Sequence, residues 1–292
     1  MFKSVDMKKL MCFTAILLLF SACAAPLNDK KEKPVRYGWN AYTLYGNVKS
    51  VTVKKGSLVD KFGKESIGEI KSMEVYFFDA SHGNCTEHLI YSYDGKLFEK
   101  NIYVYDSNGN CIEENHYDSD GKLTHKVTFV FDSNGNGIEE NHYGSDGKLT
   151  YKVFNVFDSN GNFIEQNRYA SDGKLTYNAS IDYDSNGRRI ASNINNSYSK
   201  STSKWTQEYY SNAIVLNSYA SDGKLIEKLV SAYDSNGKFI DQKRYDSAGA
   251  LIGKNDLVFD SNGNIIEERN YTYKGPIVIP ESITIYEIEY FE

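Results

Sequence analysis

Acidic side chains recur in short motifs that resemble the loops of calcium-binding proteins. Asp106-Ser-Asn-Gly-Asn is repeated along the chain with small changes. An EF-hand loop needs glycine at its sixth position and a bidentate glutamate at its twelfth. Here the glycine comes fourth, and a β-turn accounts for both the aspartate and the glycine without a metal. The sequence therefore predicts no metal site in these motifs.

A second set of carboxylates occupies one equivalent position in successive repeats. Its members are Glu87, Glu113, Glu139, Glu165, Asp241 and Glu267. If the repeats are β-hairpins, equivalent positions lie two strands apart, about 9.5 Å, which is too far for neighbours to share one cation. We interpret them as solvated or hydrogen-bonded carboxylates.

The histidines give no sign of a catalytic or metal-binding arrangement. They are His82, His88, His116, His125 and His142. His116 and His142 stand at the same position of successive repeats, so they are interpreted as copies. The chain has no zinc-ligand spacing, no Gly-x-Ser-x-Gly nucleophile motif and no phosphate-binding loop. We therefore predict a protein that is not an enzyme and needs no cofactor.

Tyrosine is abundant, with 24 residues, and it recurs at a fixed repeat position. The recurring residues are Tyr117, Tyr143, Tyr169, Tyr219, Tyr245 and Tyr271. They are candidate ligand contacts, because a row of aromatic rings can bind a glycan or a peptide. The simpler alternative is a row of core residues packed against leucines, and this is the interpretation that the sequence favours.

The elements that position these residues follow from a repeat of 26 residues, divided into halves of 12 and 14. Asn-Gly and Asp-Gly alternate, each after an aromatic residue, a variable residue and serine. This spacing predicts three-residue hairpin loops with a G1 bulge at glycine. The segments between the turns are rich in Val, Ile, Thr, Tyr and Phe, which favours strands. The predicted fold is all-β, a long antiparallel β-meander of about fifteen repeat strands that curls or twists.

The turn geometry also predicts a register. Asp118 pairs with Lys122, which places Tyr117 opposite Leu123 and Glu114 opposite Lys126. The same reasoning pairs Glu140 with Lys152 and Gln242 with Lys254 in later units. One face then carries Tyr117, Leu123, Val127, Phe129 and Phe131, and is buried. The other face carries Glu114, His116, Thr124, Lys126 and Thr128, and is wet.

Two cysteines test this architecture. Cys85 and Cys111 are equivalent positions one repeat apart. In a meander they lie on strands separated by a third, about 9.5 Å apart, whereas a disulfide needs Cα atoms at about 4.4–6.8 Å. We therefore predict no disulfide. If each repeat were instead one coil of a solenoid, the two would stack at about 4.8 Å and could bond.

The ends of the chain differ from the repeats. Residues 37–78 are predicted to form N-terminal cap strands, and residues 79–274 to form the hairpin array. Within the array, residues 193–213 break the pattern and are expected to bulge or loop out. Residues 275–292, with alternating Ile283-Thr-Ile-Tyr-Glu-Ile, are predicted to form a C-terminal cap strand.

The N-terminus has the pattern of an export signal. Leu10 to Ser21 is an apolar run preceded by Lys8 and Lys9, and it is too short to cross a bilayer as a helix. Residues 1–22 are therefore predicted to be a signal peptide, with translation starting at Met1 or at Met7. Residues 23–36 are polar and charged, and are predicted to be a disordered tether.

Phe20-Ser-Ala-Cys resembles the lipobox of bacterial lipoproteins, with phenylalanine where leucine is usual. The resemblance implies that Cys23 is lipidated and that lipid attaches the protein to a membrane. Ala24 follows this cysteine instead of the aspartate that commonly retains lipoproteins at the inner membrane. This favours the outer membrane, with the protein on either the periplasmic or the surface side.

The repeats resemble known families. Tyr105-Asp-Ser-Asn-Gly-Asn and Tyr183-Asp-Ser-Asn-Gly-Arg are similar to the YD repeats of Rhs-type proteins. The Tyr-x-Ser-Asp-Gly-Lys-Leu half resembles the MORN-variant repeats of antitoxin-like proteins. Residues 44–290 as a whole look like repeat-bearing lipoproteins of Gram-negative bacteria, whose function is largely unknown.

These resemblances and the missing catalytic motifs imply a non-catalytic binding or scaffold module of the cell envelope. Its expected partner is a glycan or a protein bound along the sheet. The MORN-variant resemblance implies an alternative, an antitoxin-like or immunity-like protein. The formal net charge of −6 disfavours nucleic acid as a partner.

Overall fold

The computed structural model describes residues 44–197, 201–235 and 239–292, and within them it contains strands and turns but no helix. The strands are β1 (Val48–Lys61), β2 (Lys64–Phe78), β3 (Cys85–Tyr91), β4 (Leu97–Tyr105), β5 (Cys111–Asp118), β6 (Leu123–Phe131), β7 (Gly137–Gly144), β8 (Leu149–Phe157), β9 (Phe163–Ala170), β10 (Leu175–Tyr183), β11 (Arg189–Asn196), β12 (Ser201–Tyr209), β13 (Ala213–Tyr219), β14 (Leu225–Tyr233), β15 (Phe239–Asp246), β16 (Leu251–Phe259), β17 (Ile265–Lys274) and β18 (Ile277–Tyr290). The predicted signal peptide, the tether and Cys23 lie outside the described residues.

Each strand pairs antiparallel with the next strand in the chain, so the predicted meander is confirmed. The sheet then closes, because β18 also pairs antiparallel with β1, from Val48 opposite Tyr290 to Ser57 opposite Ser282. The result is an 18-stranded barrel. The segments predicted as caps contain β1, β2 and β18, and at this seam β1 pairs with both β2 and β18. Closure leaves no free edge that could pair with another chain.

The turns have the predicted conformation. Gly121 has a φ of +76°, the left-handed region that glycine adopts without strain. The amide of Asp118 donates to the carbonyl of Lys122, and the amide of Gly121 donates to the carbonyl of Asp118. This is the three-residue loop with a G1 bulge.

In the Asn-Gly turns that the structure describes, the aspartate is used inside the turn. Oδ1 of Asp106 accepts from the amides of Asn108 and Asn110, and the Asn110 side chain donates to Oδ2. The hydrogen bond from the Asn110 side chain, helped by the backbone amides, lowers the pKa of Asp106. The carboxylate thus satisfies turn amides, as an Asx turn requires.

The predicted register was wrong beyond the first two pairs, Asp118 with Lys122 and Tyr117 with Leu123. Tyr117 lies opposite Leu123 as expected, but the next pair is His116 with His125. Leu123 and Thr124 therefore both face Tyr117, which is a second bulge in addition to the one at glycine. The Thr124 hydroxyl donates to the carbonyl of His116 at 3.1 Å.

This extra residue changes every later pair in the hairpin. Glu114 faces Val127 instead of Lys126, and Glu140 faces Val153 instead of Lys152. Gln242 likewise faces Asn255 instead of Lys254. Because side chains alternate between faces, a one-residue slip reverses the face assignment.

The corrected faces can be assigned from burial. The sheet is a single layer, so a continuous cluster of buried residues must lie inside the barrel. That cluster is Val48, Val51, Phe78, Cys85, Tyr103, Cys111, Val127 and Phe129. Glu114 and His116 share this inner face, whereas Tyr117 lies on the outer face. The grouping of Tyr117 with Val127 and Phe129 was therefore wrong.

Residues 193–213, expected to bulge or loop out, instead contribute strands to the wall. β11 pairs with β12, and β12 pairs with β13 through Trp205 opposite Ser218. Trp205 is buried on the inner face. Loss of the turn signature therefore does not mean loss of the strand, because neighbouring strands on both sides supply backbone partners.

Candidate functional site

The six recurring tyrosines lie on the outer face, and each lies opposite a lysine of the preceding strand. The pairs are Lys100 with Tyr117, Lys126 with Tyr143, Lys152 with Tyr169, Lys204 with Tyr219, Lys228 with Tyr245 and Lys254 with Tyr271. We call these six tyrosines the tyrosine row. All six are half-buried. Five of them face a leucine of the following strand, as the core alternative expected, yet the ring lies on the outer surface.

Three of the six lysines opposite the row form ion pairs with the column of carboxylates. Lys100 pairs with Glu87 at 2.8 Å, and the same contact recurs in the next two units. The hydrogen bond from Lys126, helped by Asn115, lowers the pKa of Glu113 although burial opposes the shift. Each regular unit thus presents a tyrosine ring, a lysine and a carboxylate side by side. These carboxylates serve ion pairs on the outer surface.

Tyr271 differs from the other tyrosines of the row. Its hydroxyl donates to Glu65 at 2.7 Å, and Glu65 belongs to the far end of the long β1–β2 hairpin. Burial and the Glu65 carboxylate both raise the pKa of Tyr271. The tyrosine row is therefore covered at this end by the hairpin.

The inner face carries a second row, which sequence reasoning missed. Nδ1 of His116 lies 3.0 Å from Glu99, and Nε2 lies 3.3 Å from Glu114. Burial alone would lower the pKa of His116, but the hydrogen bonds and charges of Glu114 and Glu99 outweigh it and raise the pKa to about 9. In return, His116 lowers the pKa of Glu99.

The row continues across neighbouring strands. Nε2 of His125 lies 3.1 Å from Nδ1 of His142, and His142 stacks on Tyr151 with ring centroids 3.9 Å apart. Burial and the charges of His142 and His116 lower the pKa of His125. On β3, His88 lies 2.9 Å from Glu74 and stacks on Tyr76. The only sequence signal for this row was the pattern Glu-x-His in two units. It indicates a row on the inner face only once the second bulge is known, because the bulge places both residues inside the barrel.

The inner row is a hydrogen-bonded network in which most of the imidazoles lie beside carboxylates. Within the described part of the chain, no group of three or more His, Cys, Asp or Glu side chains could hold a metal ion. The arrangement can store protons and link stability to pH.

Cys85 and Cys111 lie on β3 and β5, with β4 between them, and both are buried thiols that form no disulfide. Burial raises the pKa of Cys85 to about 12. A thiol with so high a pKa is a poor nucleophile.

Two concavities interrupt the wall near the irregular unit. One, of about 470 Å³, includes Tyr219 of the tyrosine row, together with Lys204 and Thr206. The other, of about 330 Å³, lies at the Asn-Gly end of β8–β12 and is lined by aromatic rings and two arginines.

No protein-family model matches the chain, and no curated protein matches it. Among solved structures, it is similar to a porin-like protein from Bacteroides uniformis ATCC 8492, with a TM-score of 0.44 and 10% identity over 83% of this chain and 96% of that one. It is also similar to TcdB2-TccC3-TEV, with a TM-score of 0.18 and 11% identity over 72% of this chain and 18% of that one. TM-scores this low do not identify a function.

Among the described residues, no helix has the length and apolar character needed to cross a bilayer. The predicted lipid site at Cys23 lies in the part that the structure does not describe, so it stays a prediction. The tyrosine row is the candidate ligand surface.

Proposed function

We propose that this protein is a non-catalytic lipoprotein of the cell envelope that binds a linear glycan along its outer face. Cys23 provides the membrane attachment, and residues 23–36 connect it to the barrel. The observation that carries the proposal is the tyrosine row, in which a half-exposed ring recurs beside a lysine and a carboxylate. A set of equivalent subsites suits a polymer made of equivalent units.

The chemistry of the row favours sugar. The apolar faces of sugar rings pack on tyrosine, and their hydroxyls bond to ion-paired lysine and glutamate and to amides such as that of Asn115. Subsites two strands apart are separated by about 9.5 Å. A disaccharide unit of an extended polysaccharide advances by a comparable distance, so successive units can reach successive tyrosines.

The outer face is suited to water. Ion pairs such as Lys126–Glu113 and Lys152–Glu139 lie at the middle of the strands, with both side chains partly exposed. Charged pairs in this position are typical of a hydrated surface. This supports attachment through Cys23 and leaves the wall free for a ligand.

Binding is tested with the mature chain, residues 23–292, carrying Cys23→Ser. Glycan arrays and co-sedimentation with insoluble polysaccharides identify a ligand, and titration measures its affinity. The double variant Tyr143→Ala/Tyr169→Ala is expected to bind at least about tenfold more weakly. The control is Tyr93→Ala, a tyrosine 76% exposed that lies outside the row. Absence of glycan binding, or equal binding by the double variant, would contradict the proposal.

Attachment is tested separately in cells. Metabolic labelling with a fatty acid is expected to mark the wild-type protein and not Cys23→Ser. Protease treatment of intact cells then distinguishes the surface from the periplasmic side. Unlabelled wild-type protein would remove lipidation from the proposal and leave glycan binding to be judged by its own experiment.

A further inference from the structure

One unit departs from the repeat at two consecutive positions. Four other Asn-Gly turns end in asparagine followed by a small or apolar residue: Asn110-Cys111, Asn136-Gly137, Asn162-Phe163 and Asn264-Ile265. Here the pair is Arg188-Arg189. Arg189 lies opposite Tyr183, so it takes the inner-face position that the other units fill with small or apolar side chains.

These arginines line the cavity of about 330 Å³. Its apolar walls are the rings of Phe157, Phe163, Tyr183 and Tyr209, and Gln207 adds an amide. Gln207 and Tyr209 belong to β12, in the segment where the repeat is broken. The two departures from the repeat, the arginine pair and the irregular strand, thus meet in one cavity.

The two arginines have different surroundings. Arg188 donates to Asp184 through Nε at 2.8 Å, and its guanidinium lies 4.7 Å from the centroid of the Tyr209 ring. Its charge is therefore compensated and its position is fixed. Within the described residues, the Arg189 guanidinium has neither an ion pair nor a hydrogen bond, so it brings an uncompensated positive charge to the cavity.

Gln207 also lacks a partner. Its side chain is only 8% exposed, yet within the described part of the chain its amide makes no hydrogen bond. The other inner-face glutamines are satisfied, since Gln166 donates to Asn155 and Gln242 donates to Ser231. The Gln207 amide lines the cavity and is available to a ligand there.

We infer that this cavity binds a carboxylate attached to a single aromatic ring. The Arg189 guanidinium matches a carboxylate with two parallel hydrogen bonds. Gln207 supplies a further donor, and the four aromatic side chains that line the cavity provide apolar contact for the ring. A cavity of about 330 Å³ has room for one ring and its carboxylate. The inference goes beyond glycan binding on the outer face and does not depend on it.

The test uses the mature chain with Cys23→Ser and Trp39→Phe, in which Trp205 on β12 is the one remaining tryptophan. Benzoate and 4-hydroxybenzoate are titrated by fluorescence and by calorimetry. Acetate keeps the carboxylate without the ring, and benzamide keeps the ring without the charge. Both are expected to bind at least about tenfold more weakly than benzoate. Benzamide binding as tightly as benzoate, or no saturable binding of either aromatic carboxylate, overturns the inference.

Variants assign the binding to Arg189. Arg189→Gln is expected to weaken benzoate binding by about tenfold or more, because the charge-assisted hydrogen bonds are lost. Arg188→Asn/Arg189→Phe restores residues that the repeat carries elsewhere, so it is expected to fold and to lose binding. The matched control is Arg244→Gln, an inner-face arginine on β15 outside the cavity. Unchanged affinity in a folded Arg189→Gln protein, checked by thermal unfolding, also overturns the inference.

Discussion

The regular units and the seam of the barrel share the same turn sequence, but the asparagine of the turn makes different contacts in the two regions. In a regular unit, Asn136 donates to Asp132 and closes its own turn. At the seam, the equivalent Asn264 is completely buried. Its side chain accepts from the amide of Tyr45 at 2.6 Å and donates to the carbonyl of Tyr45 at 2.9 Å. The comparison shows that a repeat motif determines the turn, whereas its surroundings determine how much stability depends on it.

The largest effect is expected at this pair of asparagines. Asn264→Ala removes the partners of both backbone groups of Tyr45 and the donor to the Tyr290 hydroxyl, and is expected to lower the free energy of unfolding by roughly 3–4 kcal/mol. Asn136→Ala is expected to cost roughly 1 kcal/mol, since it loses contacts within one turn. Urea unfolding of both variants measures the difference. Equal losses would break the comparison.

The next largest effect is expected in the pH dependence of stability, which distinguishes the regular units from the seam. His116, in the regular units, has a pKa raised from 6.5 to about 9, so the folded protein holds this proton more tightly than the unfolded chain. The resulting stabilisation, roughly 2–3 kcal/mol, is complete below about pH 6.5 and is lost as the pH rises through about 9. The pKa of His125 is lowered, so its effect on stability is expected at pH values below this window.

Unfolding curves between pH 5 and 10 for wild type and His116→Gln measure this term as a difference. The variant is expected to lack the loss of stability between about pH 6.5 and 9, and the exposed His82→Gln serves as the control. The cost of Asn264→Ala, in contrast, is expected to stay constant over this window. A difference between wild type and His116→Gln that does not change with pH would show that folding leaves the pKa of His116 unshifted, and would contradict the prediction.

A smaller effect tests the second bulge of the regular units. Thr124, Thr150 and Thr176 each donate from the hydroxyl to the carbonyl eight residues earlier. Thr124→Val is expected to lower the free energy of unfolding by about 1 kcal/mol, because the carbonyl of His116 loses its donor. Thr128→Val is the matched control on the same strand. If the two variants unfold at the same temperature, the Thr124 hydroxyl does not stabilise the bulge.

The smallest effect is expected on the outer face. Lys126→Met breaks the ion pair with Glu113, and such partly exposed pairs contribute about 0–1 kcal/mol. The loss is expected to shrink further in high salt, because salt screens exposed charges. Unfolding at two salt concentrations checks this. A large loss that salt does not change would mean that Lys126 acts through packing.

Much of the fold could be predicted from the sequence because the turn signals are local. Glycine needs a positive φ, aspartate binds the turn amides, and both act within five residues, so the strands and their antiparallel order followed. The second bulge has no such signal. Tyr117 and Leu123 are opposed in either register, and only the Thr124 hydroxyl bound to His116 shows where the extra residue goes.

The site was harder to predict because faces depend on register. The extra residue at the second bulge places Glu114 and His116 on the inner face, where the sequence predicted the outer face. It places Tyr117 on the outer face, where the sequence predicted the inner one. Closure of the barrel could not be predicted either, since the alternating pattern of Ile283 to Tyr290 predicts a strand but not its partner. The pairing of β18 with β1 joins segments more than two hundred residues apart, and no local pattern encodes it.

Closure of the ring also limits how such a chain can change its length during evolution. The strands alternate in direction, and the last must run opposite to the first, so their number has to be even. Gain or loss of a single half of 12 or 14 residues would leave the first and last strands running the same way and the ring unable to join. Duplication or deletion within the gene is therefore expected to add or remove whole 26-residue units. Such a change widens or narrows the ring and preserves the antiparallel pairing of the first strand with the last.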